Sequence, residues 1–147
     1  MCRLGWTVVL NRSRPGWIMA RILLIDDDEA VRGSTARLLE LMGHEVLTAD
    51  HGEAGLRVWR EHGADLVITD VCMPGMNGLE VIVELRAFAP DLALLAMSGG
   101  LESQRLDLLG TAAQAGAFRA LSKPFTIQEL RSAVGDLLQP ASRAREA

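Results

Sequence analysis

Ile22-Leu23-Leu24-Ile25-Asp26-Asp27-Asp28 decides the fold, because an unbroken apolar run breaks off into three consecutive carboxylates. A short strand that is apolar at every position has both faces covered, as in a parallel sheet. The pattern recurs downstream. Leu66-Val67-Ile68-Thr69 ends on Asp70, Leu92 to Met97 stops at Ser98, and Phe118 to Leu121 leads into Ser122-Lys123-Pro124. Ligands of open α/β sheets bind beyond the carboxyl ends of the strands. Acids, a hydroxyl and an amine are therefore expected along one rim.

Between these runs the spacing turns helical. Val31, Leu38, Leu39 and Leu41 predict a helix from about Glu29 to Met42, with Gly43 as its stop. Glu45 to Ala49 reads as a second strand, and Asp50 is the expected cap of a helix through Ala54, Leu56, Val58 and Trp59 that ends near Gly63. Pro74 to Gly78 has turn chemistry; Leu79, Val81, Ile82, Leu85 and Phe88 mark a third helix, broken by Pro90-Asp91. Gly99-Gly100 leads toward a helix carrying Leu101, Leu106, Leu108 and Leu109, closed by Gly116. Thr126 caps a last helix through Leu130, Val134, Leu137 and Leu138, before Pro140. Five βα units predict a doubly wound α/β fold with a five-stranded parallel sheet. An order such as 2-1-3-4-5 would set the first and third strands side by side and gather Asp26, Asp27 and Asp70.

With 147 residues, 49% of them apolar, the chain suits one domain that buries roughly two-thirds of its unfolded surface. Its formal net charge of -4 counts against a phosphate-backbone binder, so no direct nucleic-acid contact is expected. Cys2 and Cys72 are the only cysteines, which fits a reducing cytoplasm. Residues 1–20 read as an N-terminal extension, holding Trp6, Trp17, Arg3, Arg12, Arg14 and Pro15. The stretch Trp6 to Leu10 is too short for a signal peptide, and no run is long enough to span a membrane. Met19 lies just before the first strand, which suggests a start there, with residues 1–18 a misassigned upstream reading. The domain then covers 21–140 and leaves a tail at 141–147. His44, His51 and His62 have no metal-ligand spacing and are expected as solvated surface side chains.

Asp26, Asp27, Asp70 and Lys123 in one crevice would carry a formal charge of -2. Two carboxylates about 4 Å apart repel by roughly 4 kcal/mol at an effective dielectric of about 20. An all-oxygen donor set with room for waters suits Mg²⁺, which also bridges to phosphoryl oxygens. A carboxylate can then act as nucleophile toward phosphorus. Asp70, at a strand end before a loop, is the candidate nucleophile; Asp26 and Asp27 are placed to hold the metal, and Lys123 to meet the phosphoryl group as a point charge. Asp28 and Glu29 are expected only to cap the first helix and complement its dipole.

From about Arg21 to Leu138 the chain resembles the receiver domain of bacterial two-component response regulators. Ile22 to Arg32, Asp70-Val-Cys-Met-Pro-Gly-Met-Asn-Gly78, Ser98 and Lys123-Pro-Phe125 carry the resemblance. It implies a flavodoxin-like fold of order 2-1-3-4-5, with Mg²⁺ held by Asp27, Asp70 and the backbone carbonyl of Cys72, assisted by Asp26. Asp70 would take a phosphoryl group from the phosphohistidine of a sensor histidine kinase, or exchange it with a histidine phosphotransfer protein. Ser98 would grip a phosphoryl oxygen, and Lys123 matches the family lysine. The implied role is signalling by protein contact or phosphorelay, without enzyme activity beyond self-phosphorylation and self-dephosphorylation, in a stand-alone receiver.

Three positions depart from the family pattern. Ala120 stands where an aromatic often swings inward; Phe118, on the same strand face, is the expected partial substitute. Cys72 could alter access of the hydrolytic water, and Gly99-Gly100 could leave the phosphoryl group less covered. Two other readings use the same acids. A phosphatase of the haloacid dehalogenase type would use Asp26-x-Asp28, but that family expects Gly-Thr where Glu29-Ala30 stands. A pseudo-receiver would bind a partner without phosphate.

Overall fold

A computed structural model of the chain describes residues 9–10, 18–71, 78–98 and 118–138. Its main sheet holds five parallel strands: β1 (Arg21–Ile25), β2 (Glu45–Ala49), β3 (Leu66–Asp70), β4 (Ala93–Ser98) and β5 (Phe118–Ser122). Their order is β2-β1-β3-β4-β5, the doubly wound arrangement that the sequence allows and the resemblance implies. Four helices are described: α1 (Glu29–Leu41), α2 (Gly52–His62), α3 (Gly78–Phe88) and α4 (Ile127–Leu138). Val9–Leu10 pairs antiparallel with Ile18–Met19 just before β1. The expectations for Cys72, the loop at 73–77, Gly99-Gly100, the helix through Leu101 to Gly116, Pro140 and the tail lie outside the described residues, as do Trp6 and Trp17.

Both faces of the central strands β1, β3 and β4 are covered, which is why these carry no polar alternation, whereas the edge strands β2 and β5 keep exposed Glu45, Thr48 and Arg119. Ile22, Leu24, Leu66, Ile68, Leu95 and Met97 face α1 and α4, where Leu39, Leu130, Val134 and Leu137 complete one core layer. Leu23, Ile25, Val67, Leu94 and Ala96 point the other way, onto Leu56 of α2 and Val81, Ile82 and Leu85 of α3. Burying each such aliphatic side chain stabilises by about 1.5–3 kcal/mol. The two layers hold the strand ends in fixed register.

Local chemistry sets the helix limits. The Asp28 carboxylate accepts from the Ala30 and Val31 N–H groups and so caps α1, as expected. Gly43 (φ 99°) and Gly63 (φ 72°) adopt the left-handed backbone that stops α1 and α2. Thr126 and Glu129 form a reciprocal capping box at α4: the Glu129 N–H donates to Thr126 Oγ1 at 3.0 Å, and the Thr126 N–H donates to Glu129 Oε1 at 2.8 Å. The cap of α2 is a correction. The helix starts at Gly52, so the residue in capping position is His51 rather than Asp50, and its Nδ1 accepts from the Ala54 N–H at 3.1 Å. The Asp50 carboxylate lies instead 3.6 Å from His51 Nε2.

His44 is a second correction, because it is half-buried rather than solvated. At the amino end of the sheet its Nδ1 accepts from the Ala20 N–H at 3.1 Å. Burial lowers its pKa below the ordinary value, while the nearby Asp65 carboxylate pulls the other way. A protonated ring would present a donor to the Ala20 N–H, so the fold requires the neutral form.

α3 approaches the sheet closely. A Cβ at Gly78 would overlap the Asp70 carbonyl and stand 2.8 Å from Val71 Cα, and the Gly78 N–H donates to the Val71 carbonyl at 3.1 Å. Gly33, on the exposed face of α1, has nothing within 4 Å of the same added atom. Urea denaturation should therefore give opposite signs for the same chemical change. Gly78→Ala loses about 1–3 kcal/mol by overpacking, whereas Gly33→Ala gains about 0.5–1 kcal/mol in helix propensity.

The His44 contact sets a pH dependence. With its folded pKa depressed, the unfolded chain binds the proton more readily, so the His44 contribution is complete above about pH 6.5 and is lost as pH falls below that. Melting curves between pH 7.5 and 5.5 should show this decline in the native chain. It should be absent in His44→Gln, whose amide oxygen accepts from Ala20 without titrating.

Candidate functional site

The carboxyl ends of β1 and β3 build the site. β1 and β3 pair in register from Ile22↔Leu66 to Ile25↔Thr69, so one further step sets Asp26 beside Asp70. Asp27 follows on the loop into α1. Carboxylate oxygens of Asp26, Asp27 and Asp70 all lie within 4.8 Å of one another. Asp26 is fully buried, Asp70 nearly so, and Asp27 is exposed. Buried acids inside and an exposed one at the mouth make a notch open on one side.

Every polar group of Asp26 is engaged. Its N–H donates to the Ala49 carbonyl at 3.1 Å, its carbonyl accepts from Arg32 Nη1 at 2.8 Å, and its Oδ1 accepts from the Asp28 N–H at 2.9 Å. Its Oδ2 lies 3.3 Å from Lys123 Nζ, which is also 3.2 Å from Asp70 Oδ2. Burial works to lower the Lys123 pKa, but Asp70 and then Asp26 outweigh it, by charge and by hydrogen bond, and leave it raised. The ammonium is therefore charged throughout the neutral range. Among the described residues, the Asp27 carboxylate has no hydrogen-bond partner, so its oxygens are available to a cation.

Ser98, at the end of β4, is buried, and its carbonyl accepts from the Lys123 N–H at 2.6 Å. Ser98 and Lys123 thus meet through the backbone where β4 and β5 end in register, Ser98 opposite Ser122. Ala120 pairs in register with Ala96 and is exposed. The structure brings together Asp26, Asp27, Asp70 and Lys123, with Ser98 adjoining; Cys72 lies outside the described residues. Asp28 spends its carboxylate on the α1 cap, which removes the second acid from the Asp26-x-Asp28 phosphatase reading. The sequence assigned no role to Arg32. The only available signal was a basic residue four positions past the cap, one helical turn along on the side that returns to Asp26.

The family model of the response regulator receiver domain matches residues 22–135. The chain belongs to the response regulator receiver family. It is 40% identical, over 115 residues, to the DNA-binding transcriptional regulator NtrC of Azospirillum brasilense, an alignment covering 78% of this chain and 23% of that protein. Among solved structures it is similar to a response regulator receiver domain protein from Clostridium thermocellum, with 36% identity, a TM-score of 0.73, and coverage of 82% of this chain and 94% of that one. It is likewise similar to the response regulator TrrA from Thermotoga maritima in complex with Mg(2+)-BeF, with 35% identity, a TM-score of 0.72, and coverage of 82% of this chain and 100% of that one. The chain spans about half or less of the length of the first curated relatives it matches. What this receiver shares with all of them is the receiver region.

The three-carboxylate notch is held by one ammonium, which sets a measurable dependence. In divalent-free buffer at pH 7, Lys123→Met should cost about 1–3 kcal/mol of unfolding free energy, because it leaves the buried Asp26 carboxylate without its counter-charge. Combining it with Asp26→Asn should recover part of that loss; a strictly additive double-mutant cycle would show that the pair is not coupled.

Proposed function

We propose that the chain is a phospho-accepting receiver in which Asp70 is the residue phosphorylated. The observation that carries this reading is the gathering of the Asp26, Asp27 and Asp70 oxygens within 4.8 Å, with Lys123 Nζ 3.2 Å from Asp70. Three carboxylates offering only oxygen, one of them unbonded and exposed, are a donor set that suits Mg²⁺. Asp27 and Asp70 would hold it, with the Cys72 carbonyl, and Asp26 from behind. When bound, the ion neutralises charge that builds on a transferring phosphoryl group.

The chain's own residues supply the rest. An Asp70 carboxylate oxygen attacks the phosphorus of a phosphohistidine on the donor; the P–O bond of an acyl phosphate forms as the P–N bond breaks, and the imidazole leaves with the nitrogen lone pair and picks up a proton. Lys123, already within reach of Asp70, holds its positive charge against the added phosphoryl oxygens. Ser98, buried at the end of β4 beside Lys123, would offer its hydroxyl to one of them. Asp26, fully bonded, keeps the strand end fixed while this charge changes.

The donor class is a sensor histidine kinase, or a histidine phosphotransfer protein in a relay, and the output is contact with another protein rather than with nucleic acid. A cytoplasmic location and the absence of activity beyond gain and loss of the chain's own phosphoryl group complete the proposal. Ala120 implies that phosphorylation is conveyed without an inward-swinging aromatic at that position.

Acetyl phosphate with Mg²⁺ should produce a mass increase of one phosphoryl group that alkali and hydroxylamine remove, as expected of an acyl phosphate. Asp70→Asn should abolish it, and Asp27→Asn should slow it by at least tenfold. Undiminished labelling of Asp70→Asn would overturn the assignment.

A further inference from the structure

The mechanism leaves Arg32 unused, although it reaches the site. From one turn inside α1 its Nη1 donates to the carbonyl of Asp26 at 2.8 Å, in a partly buried contact. That carbonyl belongs to the peptide joining Asp26 to Asp27. The Asp26 side of this peptide is held by the Ala49 carbonyl, the Asp28 N–H and Lys123. On the Asp27 side, no side-chain bond among the described residues fixes the carboxylate. The orientation of Asp27 therefore depends on the peptide plane, and Arg32 holds that plane through its oxygen.

We propose that Arg32 is a positioning residue for divalent-cation binding: it locks the Asp26–Asp27 peptide so that the Asp27 carboxylate stays turned toward Asp26 and Asp70. The proposal rests on the reading of the acidic notch as a Mg²⁺ site. It also makes a prediction of unusual sign. A guanidinium near three carboxylates repels a cation, so if Arg32 acted only by its charge, its removal would tighten binding. As a positioning residue its removal weakens binding, because groups that orient metal ligands typically contribute 10–100-fold in affinity.

Isothermal titration of the full chain with MgCl₂ alone tests this, with melting curves to show that each variant is folded. The native chain should bind one Mg²⁺, and Asp27→Asn should bind it far more weakly. Arg32→Gln should bind about tenfold more weakly than the native chain, and Arg32→Lys, which keeps the charge but has a shorter reach and no fork, should fall between them. Arg32→Gln binding Mg²⁺ as tightly as the native chain, or more tightly, would overturn the positioning role while leaving the site assignment intact. If Arg32→Gln does not fold, Arg32→Lys decides, and an affinity equal to the native value overturns the proposal. No Mg²⁺ binding by the native chain would overturn the site assignment itself, and the Arg32 proposal with it.

Discussion

Carboxylates gathered within 4.8 Å of one another repel by about 3.5 kcal/mol per pair at an effective dielectric of about 20, and a fold that brings three together must hold them there. Lys123 is the group that opposes this repulsion. Its ammonium lies within 3.3 Å of both buried acids, at distances where each attraction is worth roughly 5 kcal/mol on the same scale. Its raised pKa expresses the same balance, since burial alone would have lowered it. The notch thus keeps a negative excess at its open side, where Asp27 is exposed.

The acids divide the work by burial and bonding. Asp26 has no polar atom to spare: strand, helix loop, arginine and lysine each take one. It behaves as part of the frame. Asp27, one residue on, is exposed and unbonded among the described residues, and Asp28, one further, belongs to the helix cap. Three identical residues in a row therefore have three different roles, set by where the backbone leaves the strand and enters the helix. Gly78 adds a constraint from the other side, because α3 begins against the peptide that follows Asp70 and only a residue without a Cβ fits there.

The central strands were legible because burial on both faces leaves β1, β3 and β4 almost wholly apolar, and the strand ends followed within a residue; β4 and β5 each run on to a serine that periodicity alone would place outside. Helix ends were legible where a cap has one chemical solution, as at Asp28, Gly43, Gly63 and Thr126. The start of α2 was not, because an imidazole nitrogen can accept the same bond as a carboxylate and Asp50 and His51 are adjacent. His44 was misread for a different reason. Its partner, the Ala20 N–H, is 24 positions away and is brought to it only when β2 pairs beside β1.

By itself the sequence determined which residues could do chemistry and on which rim they would stand, since apolar runs ending on acids, a serine and a lysine can be read without coordinates. That parallel strands present their carboxyl ends together is a general property of the βαβ crossover. Which carboxylates meet, and what each is free to bind, was decided only in the tertiary structure. Strand order is set by how the helices pack on the two faces, and contacts such as Arg32 to the Asp26 carbonyl, or Lys123 between Asp26 and Asp70, join atoms whose proximity no local pattern encodes.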